Sequence, residues 1–165
     1  MNATPPAPTL DELANIGLFG GLDPTTLAEF VQRLPVLLLT PGQVVFREGD
    51  HGRDLFVVLQ GEMEVIKASK AQHESRVALF GPGDWFGEMS ILDIMPRSAT
   101  VRALAPARLL KLSAGDLEAL YRRDLKAYSI LVLNVAREMS RRLRVADGIL
   151  AEMMANLADT YTRRK

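Results

Sequence analysis

The sequence predicts a mainly β protein with flanking helices: a double-stranded β-helix jelly roll, cupin-like in architecture, followed by a long C-terminal dimerising helix. Three observations lead there. Residues 36–112 carry short β-type runs separated by glycine, proline and acidic turns, the texture of an antiparallel sandwich or barrel. Ahead of them lie two short stretches with helical apolar spacing. After Pro106 the chain has no further proline and its apolar residues change to a heptad rhythm. The resulting division is an arm over 1–9, N-terminal helices over 10–35, the jelly roll over 36–112 and C-terminal helices over 113–165.

The first nine residues hold three prolines and no apolar period, which predicts a disordered arm. From Leu10 the pattern turns helical through Leu13 and Ile16, up to the turn Gly20-Gly21-Leu22-Asp23-Pro24. Asp23 is placed to cap a second helix with Pro24 at its first position, and Leu27, Phe30, Val31 and Leu34 give that helix one apolar face. Pro35 ends it. The strand runs are Val36–Leu39, Val44–Phe46, Leu55–Leu59, Met63–Ile66, Val77–Phe80, Ala99–Ala103 and Arg108–Leu112. Gly42, Gly49 and Gly61 fall in the turns between them, where positive φ is needed, and belong to the fold rather than to any chemistry.

Ser113, with Asp116 three residues on, is spaced to cap a short helix through Leu117, Leu120 and Tyr121. A longer helix starts near Leu125. Two heptad series run along it, Ala136, Leu143, Leu150, Leu157 and Met139, Ala146, Met153, Thr160, which predicts pairing with a second copy. Gly148 inside the seam costs about 1 kcal/mol relative to alanine and marks a place for a bend.

Composition removes several function classes. Twenty basic residues balance twenty acidic ones, so no overall field favours nucleic acid or an anionic membrane surface. The chain has no cysteine, hence no disulfide framework, thiolate nucleophile or cysteine-based metal site. Neither a secretory leader nor a run of ~18 apolar residues is present, and a soluble cytoplasmic protein is expected.

The most informative stretch is Phe86-Gly87-Glu88-Met89-Ser90-Ile91-Leu92, followed after Asp93-Ile94-Met95-Pro96 by Arg97-Ser98-Ala99-Thr100-Val101. A glycine lets backbone come close, a carboxylate beside it accepts from hydroxyls, and a guanidinium with free backbone N–H groups binds an anion. Together they suit a small molecule carrying both a hydroxyl pair or ribose and a phosphate. Residues 87–93 can form one short helix, and a strand resumes at Ala99.

This stretch resembles the phosphate-binding cassette of cyclic-nucleotide-binding domains, the sensor module of the bacterial catabolite activator family, protein kinase regulatory subunits and cyclic-nucleotide-gated channels. A second block resembles the same family in its turn glycines: Pro41-Gly42-Gln43-Val44-Val45-Phe46-Arg47-Glu48-Gly49-Asp50, then Leu55-Phe56-Val57-Val58 and Gly61-Glu62-Met63-Glu64-Val65. The likeness covers roughly Ile16 to Met154. It implies a regulatory protein that is not an enzyme, binds cyclic AMP or cyclic GMP and needs no other cofactor. Arg97 would be the main partner of the cyclic phosphate, with Ser98 adding its hydroxyl and N–H. Glu88 would accept from the ribose 2′-OH, Met89 and Ser90 would lend backbone donors, and Gly87 and Val65 complete the set around the ligand. Arg142 and Asp147 occupy the C-terminal helix where family members place lid and base contacts. Asp147 stands where the activator family has a hydroxyl, which implies better tolerance of cyclic GMP, while Ser98 keeps cyclic AMP favoured.

Implied partners are a cyclic mononucleotide, a second copy of the chain and an unidentified protein reached through the C-terminal helix, with no membrane. The alternative is a ligand-free module whose barrel and seam serve as a dimeric scaffold. A cupin-type metalloenzyme is disfavoured because His51 and His73 are the only histidines. A DNA-reading activator is disfavoured because no recognition helix follows the seam, so no specific DNA binding is expected, only weak, salt-sensitive association through Arg163, Arg164 and Lys165.

Overall fold

The structure, a computed structural model, describes residues 5–69 and 73–162, with side chains through residue 158. Two four-stranded antiparallel sheets face each other in a jelly-roll sandwich. One has the order β1 (Val36–Leu39), β8 (Ala107–Ser113), β3 (Asp54–Gln60), β6 (Trp85–Phe86). The other runs β2 (Val44–Phe46), β7 (Thr100–Ala103), β4 (Met63–Ala68), β5 (Glu74–Phe80). The expected runs recur, β1 and β2 unchanged, β3, β4, β5 and β8 with longer ends and β7 starting one residue later, and a further two-residue strand, Trp85–Phe86, pairs with Phe56 and Val57 of β3.

Alternation explains which sheet the helices cover. Along β3, Leu55 and Val57 pack with the helices whereas Phe56 and Val58 pack inside the sandwich, as the two-residue period of a strand requires. β8 does the same with Leu110 and Leu112 outward and Leu109 inward. A sheet buried on both faces needs near-continuous apolar strands, and the middle of β3 is one, while β8 is broken by Arg108 and Lys111, which pair with Glu12 and Asp54. β5 is different: it ends the other sheet, most of it is exposed, and only Ala78 and Phe80 pack toward the interior.

The helices meet the first sheet through α1 (Leu10–Ala14), a 3-10 turn (Gly17–Phe19), α2 (Pro24–Val31), α4 (Ala114–Arg123) and α5 (Leu125–Thr162). Caps fall where residue chemistry put them. The Asp23 carboxylate accepts from the N–H groups of Thr25 and Thr26, and Ser113 with Asp116 forms a reciprocal capping box. Residues 1–4 of the expected arm lie outside the described residues. Its later part is tied down: the Pro6 carbonyl accepts from Arg108, and Thr9 forms a capping box with Glu12 at the start of α1.

α5 has two halves. Ala127, Leu131 and Val135 recur at four-residue intervals and are buried against the helical layer. Between them the buried Asn134 side chain donates to the carbonyls of Leu18 and Gly20, at 3.0 and 2.8 Å, fixing the helix to the 3-10 turn. Beyond Arg142 the helix leaves the barrel, and Leu143, Ile149, Leu150, Met153 and Leu157 are each more than half exposed. At Gly148, where a bend was anticipated, the helical assignment runs on unbroken, and the space around the position is open. Thr160, the last member of one heptad series, lies outside the described side chains.

Candidate functional site

The two motif blocks are joined by backbone. The Arg97 N–H donates to the Asp50 carbonyl at 2.8 Å, and the Arg97 carbonyl accepts from Gly49 N–H at 2.9 Å. The segment after α3 (Met89–Leu92) is therefore held to the turn at the end of β2. The side chain is held as firmly. Its Nη1 donates to the carbonyls of Asp54 and Gly87, at 2.8 and 2.9 Å, and to Ser90 Oγ at 2.7 Å. The guanidinium lies 4.1 Å from the centroid of the Phe46 ring, and the residue is 5% exposed. Such a stacked, multiply bonded seat suits arginine's planar fork and would not suit lysine.

Gly87 makes that seat possible. Its φ is +88°, and a Cβ there would stand 2.7 Å from the Asp54 carbonyl oxygen and 2.9 Å from Arg97 Nη1. The glycine was expected to admit a ligand. What it admits in this structure is the arginine and the neighbouring strand.

Glu88 is buried as well, 6% exposed, and its partner is not Arg97. Arg142 reaches in from α5 to donate to Glu88 Oε1 at 3.3 Å, to the Trp85 carbonyl at 2.7 Å and to Glu138 at 2.9 Å. The Arg142 guanidinium also lies 4.9 Å from the Phe80 ring centroid. The second carboxylate oxygen of Glu88 is buried without a hydrogen-bond partner. Burial pushes the Glu88 carboxyl above the ordinary carboxylate range, with the positive charge of Arg142 opposing. Burial likewise lowers the pKa of Arg97, against the pull of Asp54 and Asp50.

Between these two arginines is a cavity of about 150 Å³. Of the nine residues singled out from sequence, it is lined by Val65, Gly87, Glu88, Met89, Ser90, Arg97, Ser98 and Arg142. Ser98 is exposed at its mouth, with its hydroxyl 3.8 Å from the Met89 sulfur. Asp147 is the exception. It is exposed on α5, more than one turn beyond Arg142, where the helix has already left the barrel, and it does not line the cavity. The base-contact position expected for it is therefore not formed in this structure.

The apolar part of the lining was not singled out. Phe46, Ala78, Phe80 and Val101 join Phe86 in walling the cavity, and the rings of Phe80 and Phe86 stack at 5.6 Å. The signal was available: alternation along β4, β5 and β7 puts Val65, Ala78, Phe80 and Val101 on one face. The arrangement is a largely apolar slot lined by two guanidinium groups and a partly unsatisfied carboxylate. It offers donors to an anion, an acceptor to a hydroxyl and flat surfaces to a ring. No group of three or more histidine, aspartate or glutamate side chains able to hold a metal occurs among the described residues.

Comparison with known proteins agrees with this chemistry. The sequence model of the family described as cyclic nucleotide-binding domain matches residues 36–124. The cyclic AMP receptor protein of Thermus thermophilus is 36% identical over 130 residues, which is 79% of this chain and 58% of that protein. The alpha subunit of the rod photoreceptor cyclic nucleotide-gated channel of Gallus gallus is 29% identical over 90% of this chain and 23% of its own length. Among solved structures, the catabolite activator protein of Thermus thermophilus superposes with a TM-score of 0.74 at 35% identity, covering 83% of this chain and 62% of that one. A cyclic nucleotide-binding domain from Methylobacillus flagellatus superposes with a TM-score of 0.80 at 27% identity, covering 87% of this chain and 83% of that one. The chain spans about six-tenths of the curated receptor it matches. With more than half of its residues under the family's sequence model and the fold and motif blocks in agreement, the chain belongs to the cyclic nucleotide-binding domain family.

Proposed function

We propose that the protein is a sensor, not an enzyme, that binds a cyclic mononucleotide and passes the binding event through α5 to a protein partner. Cyclic AMP is the favoured ligand and cyclic GMP the second. The observation that carries this reading is the buried Glu88 carboxylate with one oxygen unpartnered, in a slot whose other polar wall is Arg97. A cyclic phosphate with a free ribose hydroxyl beside it satisfies both, since a charged phosphate is a stronger acceptor for Arg97 than the carbonyls and hydroxyl it now uses. A relative named as a cyclic AMP receptor supports the choice of base.

The slot is small as it stands. About 150 Å³ is below the ~300–1,000 Å³ usual for ligand pockets, so binding requires Arg142 to leave Glu88. A ligand shifts an equilibrium only through different affinity for two states, and the Arg142 contacts supply that difference. Freed from Glu88 and Trp85, α5 is held to the barrel by less, and its exposed outer half changes its set relative to the barrel. That half is read as the surface of a homodimer. No specific DNA binding is proposed for this 165-residue chain, and a cytoplasmic location remains the expectation; among the described residues no helix is long and apolar enough to cross a membrane.

The small volume of the slot is also the one observation favouring a ligand-free scaffold. Calorimetry separates the two readings: saturable heat with cyclic AMP, weaker heat with cyclic GMP and none with 5′-AMP support the sensor. No heat with either cyclic nucleotide at millimolar concentration would leave the scaffold.

A further inference from the structure

A second and larger cavity lies on the other side of Arg97. It is the open seam of the sandwich, where β1 and β2 end their sheets and each pairs along one edge only. The cleft holds about 930 Å³, within the range of ligand pockets, and Leu37, Leu39 and Val45 give it an apolar body.

Arg97 and Phe46 line both cavities, so the arginine is their shared wall. Its Nη1 is spent on the cassette side, as described above. The opposite edge faces Gly52: a Cβ there would stand 3.0 Å from Nη2 and 3.3 Å from Nε. Nε is buried and has no hydrogen-bond partner. A desolvated, charged donor left unmet is unfavourable, and Gly52, which carries no side chain and also lines the cleft, is the residue packed against that edge.

The acids lining the cleft do not meet that donor. Asp54 pairs with Lys111 at 3.3 Å, and the Asp50 carboxylate accepts from the Arg47 N–H at 2.8 Å. His51 adds an exposed imidazole at the rim. An added peptide strand fits poorly, because β1 has four residues and β2 has three with a register shift between Val44 and Phe46. A compact molecule fits better.

We propose that the cleft between β1 and β2 binds a small anionic molecule with an apolar body, its carboxylate on the Nε and Nη2 edge of Arg97. This site is separate from the nucleotide slot, and its test uses nucleotide-free protein, so it stands or falls independently of the sensor reading. The experiment is a titration of the full chain, followed by backbone amide NMR shifts, with three probes of equal length: octanoate, 1-octanol and octylammonium. Octanoate is expected to move the amide signals of Leu37, Val45 and Gly52 saturably and to bind about tenfold more tightly than octanol, with octylammonium weakest. Gly52→Ala, which puts a methyl group against that edge, is expected to erase the difference between octanoate and octanol. Equal affinities for octanoate and octanol in the native protein, tighter binding of octylammonium, or shifts confined to α5 would each overturn the proposal. If Gly52→Ala fails to fold, the probe series on the native chain decides alone.

Discussion

Residues 86–98 and residues 143–157 both carry a regular pattern of side chains, yet the chain completes only the first. In the cassette, Arg97 is fixed by three acceptors, an aromatic ring and two backbone bonds to the turn at Gly49–Asp50. In the outer half of α5, Leu143 and Leu150 are 62% and 59% exposed. A polar pattern can be satisfied within one chain because its partners lie a few ångströms away in the same fold. An apolar heptad stripe on a helix that has left its barrel has nothing in the chain to bury it.

The largest effect should come from the complete region. Arg97→Ala is expected to weaken cyclic AMP binding by roughly 2–5 kcal/mol, some thirtyfold to several-thousandfold, because it leaves the ligand's phosphate buried without its charged partner. Calorimetry measures this, and a thermal melt beside it separates loss of binding from loss of fold. Unchanged affinity would remove Arg97 from the site.

The incomplete region should respond in its assembly and not in its fold. Leu150→Glu, or Leu143→Glu, is expected to turn a dimer at micromolar concentration into a monomer by light scattering, with the barrel's melting temperature little changed. A native protein that already runs as a monomer would refute the pairing.

A smaller effect is expected at Glu88. Glu88→Gln should weaken cyclic AMP by about tenfold, and 2′-deoxy cyclic AMP should lose little further affinity in that variant, since both changes remove one contact. Strictly additive losses would argue against direct contact. The same substitution has a signature without ligand. Burial raises the folded-state pKa of Glu88, so the folded protein holds its proton at pH values where the unfolded chain has lost it. The stabilisation is complete below the unfolded pKa and is lost as pH rises through the folded one. Glu88→Gln should flatten that decline in melting temperature as pH rises above the ordinary glutamate range.

The smallest effect is expected at Asp147. Because it stands on the exposed outer half of α5, Asp147→Ser should leave the ratio of cyclic AMP to cyclic GMP dissociation constants within about twofold. A ratio that moves tenfold would mean that the outer helix folds onto the base in the bound state.

The fold was legible in the sequence to the extent that its signals are local. Turn glycines, the Asp23 and Ser113 caps, strand alternation and the change to heptad spacing depend on residues within a few positions of one another. So does the cassette, whose members lie between Gly87 and Ser98, and the cavity lines up with eight of the nine positions picked out. Val65 and Arg142, far from the cassette in sequence, were reached only through resemblance to a family.

The sequence by itself determined a jelly roll with a cassette and a long apolar-striped helix, because backbone propensity, turn chemistry and periodicity are properties of neighbouring residues. Only the tertiary structure decided the partners of the charged groups. It gave Glu88 to Arg142 and set the free edge of Arg97 against Gly52. It also carried Asp147 away from the cavity that its neighbour on the helix, Arg142, helps to close. Charges act through space at a few ångströms, and which of them come that close depends on how elements 43 to 54 positions apart are packed.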